Sequence, residues 1–432
     1  MAPDRSASEA GPQVWDARLV DVGELPLGAR SDAAPVLERL FGLDPPTTTG
    51  VETLREIARR IVRGRRPWLC LLDSAELLDK NTARHLRWCL SEIYRMVRDA
   101  ATHSDVRLAV VVASRREDEW RGVTPAPRVS PLSLTEFSVD VVRQALYDLA
   151  QETSRNVAAA ELQQHAERVH RLGEGLPALL VRCLQWIQAE EWVDMGRLES
   201  QELFEELARP YVQQGLLSAD SLVPWGGQKL DEQRAALVEA FRVLAPYRLF
   251  TQSHLRHHLD SDRHLREAQE RLGWPVEDLW RAIGETALLS RPLNEAWQEV
   301  YAPIRRLLDR YYNRTDDERA SAHRGARKFV EAWAANQAGK EQAVGVVECL
   351  WHEAVVLRLQ WLAEMERELR KSAMHLSWTL KESQAYTVTE LRAFTARQMR
   401  NDEELQEAVR DVPGLFDRLV DIVAPTPGGA KA

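Results

Sequence analysis

The first residue whose setting suggests chemistry is an aspartate at the end of an apolar run. Trp68 to Leu72 reads WLCLL and closes on Asp73. That is the pattern of a parallel strand buried on both faces, with a carboxylate at its C-terminal end. Ligands of open α/β sheets bind at that end, and a carboxylate there can hold magnesium through water. The bland alternative is an Asp that caps the next turn. Further on, Leu108 to Ala113 (LAVVVA) runs into Ser114-Arg115-Arg116, a polar group and two cations at the end of a second buried strand. Gly175-Leu-Pro177 lies in a helical stretch, where a proline at a first helical position is the ordinary explanation.

These residues need a scaffold, and the pattern supplies one. Trp15–Val22 reads as a strand, followed by a loop with Pro26, Gly28 and Ser31. Val51–Arg63 and Asn81–Ala101 read as amphipathic helices, the second with Leu86, Leu90, Ile93 and Val97 on one face. A short strand is expected at Arg128–Leu132. Strands alternating with helices predict an α/β parallel sheet. From Ser133 onward the chain is mostly helical in pattern. Asp231–Tyr312 shows three helical segments and then a two-strand candidate around Leu288–Ser290 and Val300, the order of a winged helix. The expected division is a tail over 1–13, an α/β domain over 14–132, a helical lid over 133–230, a winged-helix-like domain over 231–315, a C-terminal helical domain over 316–423 and a tail over 424–432.

In their order, these features resemble the STAND class of signalling NTPases, the apoptosome and disease-resistance group within the AAA+-like P-loop proteins. WLCLLD matches a Walker B strand, and LAVVVASR is similar to the sensor strand. Val129–Phe137 (VSPLSLTEF) resembles the segment leading into the helical lid, and Gly175-Leu-Pro177 matches the lid's Gly-x-Pro motif. The resemblance implies a site for ATP or ADP with magnesium. In it Asp73 faces the metal, Glu76 stands near the second acid, Ser114 and Arg115 read the terminal phosphate, and Gly175 and Pro177 lie against the adenine.

The departures matter as much. A phosphate-binding loop needs Gly-x-x-x-x-Gly-Lys-Ser/Thr. Of seven lysines only Lys340 follows a glycine, and it precedes Glu341, with Ala334 where the first loop glycine belongs. Only 14 residues precede Trp15, too few for the missing strand, loop and helix. Ser74 replaces the second acid of the Walker B pair, and Ala302 takes the place of the winged helix's nucleotide-sensing histidine. The expectation is therefore an inactive module with at most weak nucleotide binding, acting as a regulatory or scaffold protein with protein partners in signalling or bacterial defence. The rivals are an ATPase completed by a partner chain and a winged-helix transcription regulator. Without the P-loop strand, either its two flanking strands pair directly or the N-terminal tail or a partner fills the slot.

Composition bounds the remaining readings. Net charge is −9, and Asp231–Tyr312 carries 12 Arg against 13 Asp and Glu, which disfavours nucleic acid as a partner. Cys70, Cys89, Cys183 and Cys349 show no metal-ligand spacing and read as reduced, buried thiols. No signal core or membrane-length apolar run occurs, so the expected location is the cytoplasm. His254, His257, His258 and His264, with Asp260 and Asp262 between them, could suggest a metal site, but a solvated helix face is the favoured reading. Cys349-Leu-Trp-His352 reads as core or contact surface rather than a site.

Overall fold

The computed structural model describes residues 16–42, 50–64, 67–75, 78–100, 108–113, 136–223, 229–286, 288–289 and 297–424. The chain divides into two compact units. The first comprises Met1–Thr135, Gln213–Leu237 and Ala268–Gln298, and the second Glu136–Val212, Val238–Glu267 and Glu299–Ala432.

The first unit is built on three parallel strands, β1 (Asp16–Asp21), β2 (Trp68–Asp73) and β3 (Leu108–Val112), in the order β1-β2-β3. The register sets Leu19 beside Leu71 and Asp21 beside Asp73, and Leu71 in turn beside Val111. Three helices accompany the sheet: α1 (Ala33–Phe41), α2 (Val51–Gly64) and α3 (Lys80–Ala100). Leu37, Leu40, Ile57, Ile61, Leu86 and Ile93 from these helices form one core with Val20, Trp68, Cys70 and Leu72 of the strands. Helix α1 was not expected, because Pro26, Gly28 and Ser31 suggest a loop. Pro35 occupies the third helical position, where the N–H has no intrahelical partner, so it is tolerated. Asp32 caps the helix by accepting from Ala34 N, and Gly42 ends it at φ 60°. The strand expected at Arg128–Leu132 lies outside the described residues. Among the described residues β3 pairs only with β2.

The remaining helices are α4 (Val139–Glu152), α5 (Ala159–Gly173), α6 (Pro177–Ala189), α7 (Gln201–Pro210), α8 (Ala219–Leu222), α9 (Leu230–Leu244), α10 (Gln252–Ser261), α11 (Arg263–Leu272), α12 (Val276–Glu285), α13 (Ala302–Tyr312), α14 (Asp316–Ala335), α15 (Lys340–Gln360), α16 (Met365–Thr379), α17 (Val388–Arg400), α18 (Glu403–Val409) and α19 (Leu415–Val423). Four helices rather than three precede the strand candidate at Leu288. Between α10 and α11 the Asp262 carboxylate accepts from Leu265 N at 2.9 Å and starts α11. Leu289, Trp297, Gln298 and Val300 make single bridges, as does Phe250, and none of them belongs to a continuous strand among the described residues.

The second unit is organised around α15. This helix buries residues on every side, from Ala343 and Val346 to Leu350, Ala354 and Leu357, which marks a helix enclosed by others. It contacts α14, α16, α17 and α18. Its approach to α14 requires a glycine: a Cβ on Gly345 would lie 2.6 Å from the Ala334 Cβ and 3.3 Å from the Trp333 ring.

Gly345→Leu should therefore cost about 1–3 kcal/mol through overpacking, despite its better helix propensity. Gly325→Ala in α14, where a Cβ meets nothing within 4 Å, should gain up to about 1 kcal/mol. Guanidinium unfolding midpoints of the two variants should move in opposite directions.

Candidate functional site: the strand ends and a buried charge network

At the C-terminal end of the sheet the backbone is already engaged. Asp73 Oδ1 accepts from Ser74 N at 2.8 Å, and Ser74 takes the left-handed conformation at φ 55°. Ala75 N donates to Ala113 O at 3.1 Å. Asp21, beside Asp73 in register, accepts from Gly23 N at 2.8 Å. Arg30, only 5% exposed, spans the turn after β1 by donating to Leu25 O and Gly23 O at 3.1 and 2.8 Å. A phosphate cradle needs several backbone N–H groups free and convergent. Here the N–H groups of Gly23, Ser74 and Ala75 are spent within the protein.

The start of α3 is no substitute. Asp79 accepts from the N–H groups of Asn81 and Thr82 and from the Thr82 hydroxyl. Burial pushes the Asp79 carboxyl up, but these hydrogen bonds outweigh it and hold the group below its usual range. Asp21 and Asp73 together are what the described strand ends offer to a divalent ion. Magnesium is commonly held by one or two carboxylates plus substrate phosphates, and the phosphate part has no seat among these groups. Asp21 was missed in the sequence, although its strand, like β2, closes on an aspartate.

The other expected site residues are dispersed. Glu76, Ser114 and Arg115 lie outside the described residues. Gly175 and Pro177 belong to the second unit, and local structure accounts for both. Glu174 and Gly175 have φ of 52° and 70° and close α5. Gly175 O accepts from Phe137 N at 2.9 Å, and a Cβ on Gly175 would come within 2.7 Å of the Glu136 Cβ. Pro177 is the first residue of α6 and is exposed. Ala302 opens α13.

The second unit contains something the sequence did not announce. Arg248, after α9, is 8% exposed. It donates to Glu348 Oε1 at 2.7 and 3.0 Å, and to both oxygens of Asp402 at 2.6 and 2.7 Å. Arg305, 2% exposed, binds both oxygens of Glu404. Arg306 adds Glu404 at 3.0 Å and Glu174 at 2.7 Å. The Arg248 and Arg305 guanidinium carbons lie 4.5 and 4.9 Å from the Trp351 ring centroid, within cation–π range. Burial pushes the Glu404 carboxyl up, but Arg305, Arg248 and Arg306 hold it down at about 2. For Glu348 burial wins, and its pKa is raised despite Arg248.

Behind this network runs a chain of neutral imidazoles. Asp309, 1% exposed, accepts from Arg319 Nε at 2.7 Å and faces His323 Nε2 at 3.2 Å. His323 Nδ1 meets His352 Nδ1 at 2.9 Å. With His323 donating to Asp309 through Nε2, its Nδ1 accepts, so His352 carries its proton on Nδ1. The order Asp-His-His looks like a proton relay, but His352 is 0% exposed. Of the expected histidine cluster, His257 and His264 are exposed as expected and His258 is half-buried, but His254 is not. His254 is 1% exposed, not on a solvated face. It sits 5.0 Å from the Tyr247 ring and 4.7 Å from Phe329, and His258 Nε2 meets Tyr247 Oη at 3.0 Å. Among the described residues no group of three metal-ligating side chains assembles.

A cleft of about 550 Å³ borders this region, lined by Arg242, Tyr247, His257, His258, Asp262 and Glu318 among others. Its charges are matched internally: Arg242 binds Glu239 and Asp262 at 2.7 Å each, and Glu318 closes the capping box of α14. All four cysteines are buried and free. Burial pushes Cys70 and Cys183 up to about 12 and Cys89 up to about 11, which makes them poor nucleophiles. No helix among the described residues is long and apolar enough to cross a membrane. No family model, no curated protein and no solved structure matches the chain.

Two predictions follow from the buried groups. Arg248→Leu strands Glu348 and Asp402 and should cost about 3–5 kcal/mol, the usual loss when one partner of a buried ion pair is removed. Chemical unfolding measures it. The second concerns pH. Burial lowers His254 to about 3 and His258 to about 4, and it lowers His323 and His352 as well. The folded state therefore refuses protons that the unfolded chain accepts below about pH 6.5. Stability should be full above that pH and fall as pH drops toward 4, by up to about 1.4 kcal/mol per pH unit for each such histidine. Urea midpoints at pH 7 and pH 5 should show the loss, and His258→Gln should make the dependence shallower.

Proposed function

We propose that the chain is a STAND-like NTPase-family module without a phosphate-binding loop, serving as a regulatory or scaffold protein in a signalling or defence system. The observation that carries the reading is the sheet's C-terminal end. A parallel strand delivers Asp73 where such proteins hold magnesium, yet the neighbouring backbone N–H groups are consumed by Asp21, Asp73 and Ala113. Ser74 and Ala302 replace two further nucleotide-handling groups of that family. The order of α9 to α12, followed by bridges at Leu289 and Trp297–Val300, supports a winged-helix-like segment. Its charge of −1 fits packing against protein better than binding DNA.

Arg306 supports a fixed rather than switching state. It joins Glu174, at the end of α5, to Glu404 of α18. A protein of this kind presents one conformation to its partners rather than cycling with nucleotide. Nucleotide affinity is then at most weak, since helix N-terminal and lysine contacts supply most phosphate binding.

A second reading is favoured by one observation: among the described residues, Leu19 and Val111 on one face of the sheet are 67% and 52% exposed. An ATPase whose phosphate-binding strand and helix come from another chain would leave this surface.

Isothermal titration of the full chain with ATP and magnesium separates the readings, with Asp73→Ala as control. The expected result is no binding in the micromolar range for either protein. Micromolar binding abolished by Asp73→Ala would overturn the proposal and make the chain a nucleotide sensor.

A further inference from the structure

The charge network of the second unit pairs one to one, with a buried remainder. Arg248 binds both oxygens of Asp402, Arg305 both oxygens of Glu404, Arg306 binds Glu174 and Arg319 binds Asp309, all at 2.5–2.7 Å. Each of these guanidinium groups therefore has a carboxylate of its own. Glu348, 4% exposed, is one carboxyl more. It shares Arg248 with Asp402 and uses only Oε1 to do so.

Glu348 Oε2 is buried and makes no hydrogen bond among the described residues. One helical turn further on, His352 Nε2 is buried and makes none either. Positions i and i+4 of α15 share a helix face. His352 carries its proton on Nδ1, toward His323, so its Nε2 offers a lone pair. An ionised Glu348 would set a second acceptor on the same buried face, and neither atom could satisfy the other. One proton supplies the missing donor.

The surroundings decide where that proton sits. On His352 it would make a cation amid Arg248, Arg305, His323 and His254, and burial together with these groups holds the imidazole well below 6.5. On Glu348 it removes an anion that competes with Asp402 for Arg248. Burial raises this carboxyl above its usual 4.5, Arg248 and Arg305 oppose the rise, and Asp402 adds to it. Among the other neighbours of α15, α14 brings His323 to the pair, and Asp402 and Glu404 stand at the start of α18. Helices α16 and α17 bury no ionisable residue. Glu364, in the turn after α15, is exposed and bonded to Arg367.

We propose that Glu348 is a neutral carboxylic acid at neutral pH, that it donates its proton to His352 Nε2, and that losing this proton loosens the start of α18. The bond runs directly or across one internal water, a common partner of buried polar atoms. Glu348 then donates to His352, His352 to His323 and His323 to Asp309 without a gap. Deprotonation puts two anions on Arg248. Glu348 is fixed in an enclosed helix, so Asp402 gives way, and with it the cap that it places on Leu405 N. A carboxyl whose pKa is raised on folding stabilises the fold at low pH and loses that contribution as pH rises above its ordinary range. The histidines of this unit act in the opposite direction. None of this rests on the nucleotide reading.

Infrared difference spectroscopy of the full chain against Glu348→Gln at neutral pH reads the proton directly. One protonated-carboxyl stretch is expected in the wild type and not in the variant. Loss of carboxylate stretches instead would overturn the proposal. His352→Phe removes the acceptor and should move the stretch to higher frequency; an unmoved band would overturn the pairing. Glu348→Gln keeps an oxygen for Arg248 and a donor for His352. It should melt with the wild type at neutral pH and several degrees above it near pH 9, whereas a variant less stable at both would show that the charge is needed. Amide exchange over Glu403–Val409, corrected for the intrinsic effect of pH, should quicken about tenfold between pH 7 and pH 9 in the wild type only. Equal behaviour in the two proteins would overturn the loosening of α18. If Glu348→Gln does not fold, the band is followed in wild-type protein carrying isotope-labelled glutamate. A protonated carboxyl at neutral pH that responds to His352→Phe supports the proposal, and its absence overturns it.

Discussion

Burial of guanidinium groups governs the second unit. A charge taken out of water costs several kcal/mol unless it is paired and its hydrogen bonds are satisfied. Arg248 and Arg305 meet that condition only because Glu348, Asp402 and Glu404 reach them from α15 and from the start of α18. Trp351 lies between the two demands and presents its ring to both. Each carboxylate must therefore be held in place, which explains the local details. Asp402 also caps α18, and α15 is enclosed on all sides so that Glu348 cannot turn to solvent. Such a network adds less to net stability than apolar packing would, but it penalises every arrangement in which one partner is displaced.

The first unit obeys a different constraint, that of handedness. Its helices were committed to one face as soon as the strand order ran β1-β2-β3 without reversal. The apolar parity of Leu19, Leu69, Leu71 and Val111 then has no structural purpose within the described residues. A sheet face in water is ordinarily polar, as antiparallel sheets with one solvated side show. An apolar one implies a cover, and the topology assigns that cover to something other than the crossover helices.

How much of this could be read in advance depended on the range of the interactions. Strands β2 and β3 were legible because WLCLL and LAVVV are continuous apolar runs, and α2 and α3 because their apolar residues recur at helical spacing. Helix α1 was hidden because Pro26, Gly28 and Ser31 just before it read as a loop. His254 was misread because its burial is decided by Tyr247 and Phe329, the latter 75 positions away and invisible to a local pattern. The arginine network was out of reach for the same reason: its bonds join residues 98 to 154 positions apart. Asp73 was found because its strand announces it. Asp21 was not, because DARLVD is too polar to read as a buried strand, and its polarity reflects an edge position.

The two units point the same way when these constraints are combined. A nucleotide switch needs a ligand whose phosphates bridge parts that otherwise separate, and its charged contacts must form and break with that ligand. Here Glu174, Arg306 and Glu404 are already joined, and the strand-end N–H groups are already bonded. Nothing in those contacts waits for a phosphate to complete it. Apolar residues such as Leu19 and Val111, 67% and 52% exposed, stand on the sheet face opposite α1, α2 and α3. Burying apolar surface is the favourable term in most protein association. Under the proposed function, the free energy for a signal would come from contact with another protein rather than from nucleotide exchange.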